Sequence, residues 1–269
     1  MAYNYREINY EVMSDTAQYC STNPELVDAI SCSMANQYMV AEEECLDIPS
    51  VDVSNTRYIV SGKRSFEAAK DYRGRKVAVL NYANNLSIGG APYTAGAQEE
   101  SLCRCSTLLP CLRAMKEPFY QKHHNLYMAK QMGFMGNDDL IYTPDVMVFK
   151  SDERTDPVYP RMMKHEEWFK VNVITCAAPQ MQFAKTLPEN YESVIRSRIK
   201  KILDVAAKEE NEVLILGAWG CGAFKNPVEV VAKVFVELLK NYDFEIVEFA
   251  LSTRSDVQSS AFARALREG

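Results

Sequence analysis

The sequence predicts an α/β fold in which a mostly parallel sheet lies between two layers of helices. Short runs of aliphatic and β-branched residues alternate along the chain with amphipathic segments at helical spacing. Several runs, such as Val77-Ala78-Val79-Leu80, are apolar without interruption, which is typical of strands buried on both faces. Strands that alternate with helices predict a layered sandwich whose ligands bind at the carboxyl ends of the strands.

Residues 1–55 are predicted to form a helical extension packed on a core of residues 56–269, so that the chain is one structural unit. Asn23 followed by Pro24 is a typical helix start, because asparagine caps free N–H groups and proline fits the first turn. Around Pro49 the helical pattern ends.

The core begins with a predicted strand at 57–60 and a helix at 65–72, followed by the buried strand at 77–80. Further runs predict strands at 146–149, 171–174, 213–216 and 246–249, and helical spacing predicts helices at 189–208, 227–240 and near Ala261. Four basic residues of the helix at 189–208 are expected on a solvated face, namely Arg196, Arg198, Lys200 and Lys201.

The composition is that of an ordinary soluble globular protein, with 47% hydrophobic and 25% charged residues among 269. No apolar run approaches the roughly 18 to 20 residues that cross a bilayer, and the polar N-terminus lacks the apolar stretch of a signal peptide. We therefore expect a cytoplasmic protein without membrane contact. The net charge of -6 disfavours binding to duplex nucleic acid, which needs a basic surface.

The eight cysteines are too widely spread to predict a disulfide framework. Cys103, Cys105 and Cys111 cluster, and His123 and His124 follow them, so a metal site is conceivable. Their spacing does not match the usual zinc patterns, in which paired ligands are separated by two to four residues. We predict reduced structural thiols and no metal.

The first loop that indicates a function follows the strand at 77–80. Asn81 and Asn84 offer amides to sugar hydroxyls, and Gly89-Gly90-Ala91 lets the backbone pass close to a ligand. Gln98-Glu99-Glu100 follows at a predicted helix start, where one carboxylate can hold a hydroxyl while its neighbour acts as an acid or base. The preference for negative charge at a helix N-terminus would explain the same pair.

The second loop follows the strand at 213–216 and runs Gly217-Ala218-Trp219-Gly220-Cys221-Gly222-Ala223-Phe224. Backbone N–H groups of a glycine-rich turn before a helix commonly bind anions. Asn226 is the expected N-cap, with Pro227 in the first turn and Glu229 completing a capping-box pattern. A tight structural turn would explain the same glycines. Together the two loops favour a ligand that carries both phosphate and ribose.

These motifs resemble the macrodomain superfamily, and within it the bacterial-type poly(ADP-ribose) glycohydrolases. That family is marked by three glycines, a short spacer and Gln-Glu-Glu, and here Gly89-Gly90-Ala91, the six-residue spacer 92–97 and Gln98-Glu99-Glu100 follow that order. The segments 141–149, 173–179 and 217–224 resemble further motifs of the family, so the likeness covers about residues 56–266. The chain departs from the pattern at Ala91, in place of the third glycine, and at Ile88, where the family has proline.

The resemblance implies a macrodomain, a three-layer α/β/α sandwich with a mixed, mostly parallel sheet. It also implies a hydrolase that cleaves O-glycosidic ribose linkages of poly(ADP-ribose) or of ADP-ribosylated substrates. Glu100 would be the general acid that protonates the leaving oxygen, and Glu99 would hold the hydroxyls of the reacting ribose.

The implied ligand contacts divide between the two loops. The distal ribose would be lined by Asn84, Gly89, Gly90 and Ala91, and Gln98 is a further ligand-binding residue. The diphosphate would bind the second loop through Gly217, Trp219, Gly220, Cys221, Gly222 and Ala223, with Phe224 packed on a ribose or the adenine. The implied partners are ADP-ribose, poly(ADP-ribose) or an ADP-ribosylated protein, and no cofactor or metal is implied.

Three alternatives stay open. A macrodomain that binds ADP-ribose without cleaving it is favoured if Ala91 has to adopt a positive φ, which alanine disfavours. A hydrolase of mono-ADP-ribosylated protein would share the same motifs. A metal-dependent or cysteine-nucleophile enzyme would need the cluster around Cys103, or a Cys221 whose pKa is lowered by the N–H groups of its loop.

Overall fold

The computed structural model of the chain describes residues 4–46, 48–49, 51, 55–152, 160–252 and 256–269. The described strands are β1 Tyr38–Val40, β2 Arg57–Ser61, β3 Val77–Tyr82, β4 Leu140–Val148, β5 Lys150–Ser151, β6 Arg161–Met162, β7 Phe169–Cys176, β8 Val213–Leu216 and β9 Ile246–Ala250. The described α-helices are α1 Tyr5–Thr22, α2 Pro24–Asn36, α3 Ser65–Lys70, α4 Gln98–Cys105, α5 Leu108–Ala114, α6 Lys122–Met128, α7 Tyr191–Lys208, α8 Val228–Leu239 and α9 Asp256–Glu268.

The main sheet is mixed and mostly parallel, as predicted. Across the described residues its strand order is β1-β4-β7-β3-β8-β9-β2. The strands from β7 to β2 run parallel to one another, whereas β4 is antiparallel to both of its neighbours. β5 and β6 pair separately. The carboxyl ends of β3, β8 and β9 therefore lie side by side at one edge of the sheet.

Helices cover both faces of this sheet, which confirms the predicted three-layer sandwich. Ala78 and Leu80 of β3 pack in one hydrophobic core with α7, α8 and α9. Val77 and Val79 pack in a second core with α3, α4 and α5. Burial on both faces explains why the strand is apolar from Val77 to Leu80. Each fully buried aliphatic side chain stabilises the fold by about 1.5–3 kcal/mol.

The N-terminal extension is helical but also contributes a strand that the sequence pattern does not predict. The side chain of Asn23 accepts the N–H of Leu26 at 3.2 Å and Pro24 opens α2, as predicted. β1 then pairs with β4, and its three residues are too few to show an alternating pattern. α1 contacts α4 and α2 contacts β4.

These contacts support treating the extension and the core as one structural unit, which stays a prediction. The predicted boundary near residue 55 follows positions 52–54, which lie outside the described residues. No described helix is long and apolar enough to span a bilayer.

β4 is longer than the strand predicted at 146–149. Its pairing with β7 shifts register between Thr143 and Val146, and Asp145 has a φ of 55°. The Asp145 N–H donates to Asn172 Oδ1 at 3.1 Å across the bulge. Pro144 and Asp145 interrupt the run of strand-forming residues, so the sequence pattern does not predict the first half of this strand.

The expectation of a solvated basic face on α7 is wrong for two of its four residues. Arg198 is 1% exposed and donates to Asp138 Oδ1 at 2.9 Å and to the carbonyls of Ala177 and Met135. Lys201 is 9% exposed and donates to two backbone carbonyls. These two cations are buried and hydrogen-bonded to backbone carbonyls, and in Arg198 also to a carboxylate, rather than facing water.

Candidate active site

A cleft of about 410 Å³ lies at the carboxyl ends of β3, β8 and β9, where the α/β topology predicts a ligand site. Both loops singled out from the sequence contribute to its walls. The first loop contributes Asn84, Gly90 and the start of α4, and the second contributes Gly220, Gly222, Ala223 and Phe224. A cleft of this size lies within the range of small-molecule sites.

Glu99 is held firmly at the floor of the cleft and is 3% exposed. Its Oε1 accepts the side-chain amide of Asn81 at 3.2 Å, and its Oε2 accepts the backbone N–H of Asn84 at 2.9 Å. Burial raises the pKa of the Glu99 carboxyl to about 8, with a smaller contribution from the charge of Glu100, and these two hydrogen bonds oppose the shift. Burial in this position therefore favours the protonated form of Glu99.

Glu100 lies beside Glu99 and reaches toward the glycine segment. Its Oε1 accepts the backbone N–H of Ala91 at 3.1 Å. Gly90 has a φ of 67°, and a Cβ at this position would overlap Glu100 Oε1 and lie 3.3 Å from Glu99 Oε2. Both carboxyl groups thus pack against a position that only glycine can fill.

Gly89 and Gly90 adopt the left-handed backbone conformation, whereas the φ of Ala91 is not positive. Ala91 is exposed, and its backbone N–H is the donor to Glu100 Oε1. The substitution of the third glycine therefore costs no backbone strain, which removes the main support for a binding protein without catalysis.

Gln98 and Asn84 shape the first loop through their side chains. Gln98 Nε2 donates to the Leu80 carbonyl at 2.8 Å, and its Oε1 accepts the N–H of Tyr82 at 2.9 Å. These two bonds fix the start of α4 against the end of β3. Asn84 Oδ1 accepts the N–H groups of Leu86 and Ser87, which closes a tight turn.

The second loop turns sharply at Gly220, whose φ is 72°. A Cβ at this position would collide with Ala178 and lie 3.3 Å from Asn226 Cγ. The predicted N-cap role of Asn226 is wrong, because Pro227 occupies the cap position of α8 and no side chain caps it. The Asn226 amide instead donates to the carbonyls of Pro179 and Gly220 and accepts the hydroxyl of Tyr191. Asn226 therefore holds the loop in shape from behind.

Comparison with known proteins agrees with this geometry. Residues 10–151 match the family model described as the microbial-type PARG, catalytic domain, where PARG is poly(ADP-ribose) glycohydrolase. The chain belongs to this family. The match begins inside α1, so the N-terminal helices form part of the family's domain. A search of curated protein sequences found no match.

Solved structures with the same macrodomain-like fold include two glycohydrolases. The enzyme from Thermomonospora curvata bound to the inhibitor ADP-HPD has 29% identity and a TM-score of 0.80, over 95% of this chain and 98% of that chain. The enzyme from Deinococcus radiodurans in complex with ADP-ribose has 31% identity and a TM-score of 0.74, over 89% of this chain and 97% of that chain.

The cleft brings together most of the residues predicted from the sequence. It is lined by Asn84, Gly90, Gln98, Glu99, Glu100, Gly220, Gly222, Ala223 and Phe224. Gly89, Ala91, Gly217, Trp219 and Cys221 lie beside it without lining it. The Trp219 ring is fully buried and donates its Nε1–H to the Cys176 carbonyl at 2.9 Å, so its side chain anchors the loop in the core. Asn81 is also fully buried and positions Glu99.

The sequence analysis missed the wall formed by Arg64, Ser101 and Asp152, and it missed Tyr82. Arg64 donates to the hydroxyl of Ser101 and lies 3.8 Å from Asp152 Oδ2. Burial raises the pKa of Asp152 to about 6. Arg64 follows β2 closely, so the rule that sites form at the carboxyl ends of strands could have identified it.

The cysteines do not form a reactive or metal-binding cluster among the described residues. The thiol of Cys103 packs beneath Gly89, where it would lie 2.9 Å from an added Cβ. Burial raises the pKa of Cys221 to about 12, which opposes the lowered pKa that a nucleophilic cysteine needs.

Proposed function

We propose that this chain is a poly(ADP-ribose) glycohydrolase in which Glu100 is the general acid. The observation that carries the proposal is that the two carboxyl groups accept different numbers of hydrogen bonds from the protein. Both oxygens of Glu99 accept hydrogen bonds from the protein. Only Oε1 of Glu100 does so, and its Oε2 has no partner among the described residues. Glu100 is therefore the member of the pair with an oxygen available to a substrate in the cleft.

Membership of the glycohydrolase family supports the reaction, and two related structures support the ligand. One relative is bound to ADP-ribose and another to the inhibitor ADP-HPD. The cleft offers a glycine loop for phosphates and a carboxyl pair for a ribose, which matches the chemistry of ADP-ribose. A cytoplasmic location and the absence of nucleic-acid partners stay predictions from composition.

The reaction needs one proton donor and one water. Glu100 transfers a proton to the leaving oxygen as the bond between that oxygen and ribose C1 breaks. The electron pair of the broken bond stays with the leaving oxygen, and an oxocarbenium-like ribose forms. Water then adds to C1 and gives a proton back to Glu100. The two steps together hydrolyse the glycosidic bond and regenerate the acid.

Glu99 contributes as a neutral carboxyl group. Because its pKa is raised to about 8, it can donate its proton to a ribose oxygen while still accepting from Asn81 and Asn84. A neutral group also repels a diphosphate less than a carboxylate would. Glu99 thus orients the reacting ribose without adding negative charge to the site.

The loop from Gly217 to Phe224 would hold the diphosphate through backbone N–H groups, with Phe224 against a ribose or the adenine. The N-terminal end of α8 follows this loop and favours negative charge nearby. Each step is assigned to side chains and backbone donors of this chain, so the proposed reaction is metal-independent.

The decisive experiment compares wild-type protein with Glu100→Gln. Both are incubated with poly(ADP-ribose) and with proteins mono-ADP-ribosylated on serine and on glutamate, and released ADP-ribose is measured by mass spectrometry. Gln keeps the shape of Glu100 but has no proton to transfer, so we expect turnover to fall by at least about 100-fold. ADP-ribose binding should stay within a few-fold of wild type.

Glu117→Gln is the matched control, because Glu117 is exposed and lies outside the cleft. It should behave as wild type. Retained turnover in Glu100→Gln would refute the proposed mechanism. The substrate that wild-type protein prefers decides between polymer and mono-ADP-ribosylated protein, and ADP-ribose binding without release from any substrate would favour a binding protein.

A further inference from the structure

Tyr82 is the last residue of β3 and lines the cleft between the carboxyl pair and the glycine loop. Its backbone N–H is fixed by Gln98 Oε1 at 2.9 Å. Its hydroxyl has no hydrogen-bond partner among the residues that the structure describes. A tyrosine hydroxyl that lacks a protein partner at the wall of a ligand cleft is available to the ligand.

The position of this hydroxyl follows from Gly217, the first residue after β8. A Cβ at Gly217 would overlap the Tyr82 hydroxyl and lie 2.8 Å from the carbonyl oxygen of Ala250. The hydroxyl thus lies where the ends of β3, β8 and β9 meet. Glycine at position 217 makes room for it beside the start of the loop proposed to bind the diphosphate.

The surroundings favour a hydrogen-bond donor at this point. Burial raises the pKa of Tyr82 above its ordinary value, and the nearby Cys221 adds to the shift, so the phenol stays protonated. Among the described lining residues Arg64 is the one arginine or lysine, and its guanidinium is bonded to Ser101 beside the carboxyl pair. The anion at the glycine loop therefore has to be held by neutral donors.

We propose that the Tyr82 hydroxyl donates a hydrogen bond to a non-bridging phosphate oxygen of the bound diphosphate. This inference rests on the proposed function, because it takes ADP-ribose as the ligand of the cleft. It adds a side-chain donor to a cradle made otherwise of backbone N–H groups. A phosphate oxygen carries negative charge and only accepts, so this contact belongs to the stronger, charge-assisted class of hydrogen bonds.

The test is Tyr82→Phe, which removes one oxygen atom and keeps the ring. Isothermal titration calorimetry measures the dissociation constants of ADP-ribose and of ADP for the variant and for wild type. ADP keeps both phosphates and lacks the distal ribose. We expect both dissociation constants to rise by the same factor, about tenfold, as for loss of a hydrogen bond to a charged group. With poly(ADP-ribose), KM should rise while kcat stays near wild type, because the contact is equal in ground and transition states.

Tyr127→Phe is the matched control, since Tyr127 is 51% exposed on α6 and does not line the cleft. It should leave both constants unchanged, and both variants should keep the wild-type melting temperature. Dissociation constants within twofold of wild type in Tyr82→Phe would overturn the inference. Weaker binding of ADP-ribose with unchanged binding of ADP would overturn it as well, because the contact would then be to the distal ribose. A wild-type protein that binds neither ligand would refute the proposed function together with the inference.

Discussion

Gly90 and Glu100 are ten positions apart in the chain, yet they pack directly against each other in the cleft. Glu100 Oε1 occupies the space that a side chain at position 90 would fill. The same oxygen accepts the N–H of Ala91, so the backbone that approaches the carboxylate also orients it. At Gly90 the positive φ and the missing Cβ together let the chain pass close to Glu100, the proposed acid.

Gly90→Ala should therefore damage catalysis far more than folding. The left-handed conformation costs alanine about 1–2 kcal/mol, a modest part of the stability of a domain. The new methyl group displaces the Glu100 carboxylate, and a displacement of about 1 Å can lower the rate about 100-fold. Steady-state kinetics with poly(ADP-ribose) and thermal unfolding measure the two effects separately.

Gly96→Ala is the control for this change. Gly96 lines the same cleft and its φ is not positive. A Cβ added at this position would have no neighbouring atom within 4 Å. It should keep wild-type stability and most of the activity. If Gly90→Ala is as active as Gly96→Ala, the packing of the acid against Gly90 has no role in catalysis.

Ala91 shows which part of the site the sequence could predict. The Gln-Glu-Glu motif and its distance from the glycines pointed to Gly90 and residues 98–100, which line one cleft in the structure. The effect of the alanine could not be predicted, because φ depends on the path of the loop around Glu100. Tyr82 was missed for a similar reason, since an aromatic residue at the end of a buried strand is more often part of the core.

At the scale of elements, the glycine loop between β8 and α8 is shaped by the side chain of Asn226. Asn226 is 4% exposed and bonds the Gly220 carbonyl at 2.9 Å, the Pro179 carbonyl at 2.8 Å and the hydroxyl of Tyr191. One amide thus links the loop, the segment after β7 and the start of α7. This link fixes the shape of the loop whose backbone N–H groups are proposed to bind phosphate.

Asn226→Ala should weaken ligand binding and lower stability together. The change leaves the buried Pro179 carbonyl without this donor and the Tyr191 hydroxyl without its acceptor, and each such loss costs about 1–3 kcal/mol. The loosened loop has to be ordered by the ligand, so the dissociation constant of ADP-ribose and KM should rise more than kcat falls. Calorimetry measures the dissociation constant of ADP-ribose, steady-state kinetics measures KM and kcat, and thermal unfolding measures the stability.

Asn190→Ala provides the comparison, because Asn190 is exposed at the start of α7 and its side chain caps nothing. It should be close to wild type in binding and in stability. Wild-type affinity in Asn226→Ala would show that the loop keeps its shape without the amide.

The sequence predicted the strands that are buried along most of their length, because such strands appear as uninterrupted apolar runs. The strands β3, β7, β8 and β9 are buried along nearly their whole length, so their apolar runs were visible. β1 is short, the first half of β4 is broken by a bulge at Pro144, and Arg198 is buried by carbonyls from distant loops. These features depend on partners elsewhere in the chain, which a local pattern does not contain.

At the scale of the whole molecule, the N-terminal helix α1 contacts the spacer segment beside the cleft. Asn9 of α1 donates to the carbonyls of Thr94 and Ala95, and the buried Arg104 of α4 donates to Pro92 and Ala95. The spacer between Ala91 and Gln98 is thus held from two directions. This agrees with the start of the family match inside α1 and explains why a helical extension accompanies the catalytic motif.

The whole molecule also sets the protonation of Glu99, because the sheet, α4 and the first loop together exclude water from it. Its folded-state pKa of about 8 lies above the ordinary 4.5, so the native state binds more protons than the unfolded state between these values. The contribution of Glu99 to stability is therefore fully present below about pH 4.5 and is lost as the pH rises toward 8.

Glu99→Gln removes this titration, so the free energy of unfolding of the variant should gain on that of wild type as the pH rises from 5 to 8. The gain is at most about 1.4 kcal/mol per pH unit. Gln can accept only one of the two hydrogen bonds that Glu99 receives, which lowers the stability of the variant by an amount independent of pH. Urea unfolding at pH 5 and pH 8, with Glu117→Gln as a control expected to follow wild type, separates the two effects. Parallel stability profiles for wild type and Glu99→Gln would mean that Glu99 is already ionised in the folded protein, and its assigned role as a neutral partner of the ribose would then be wrong.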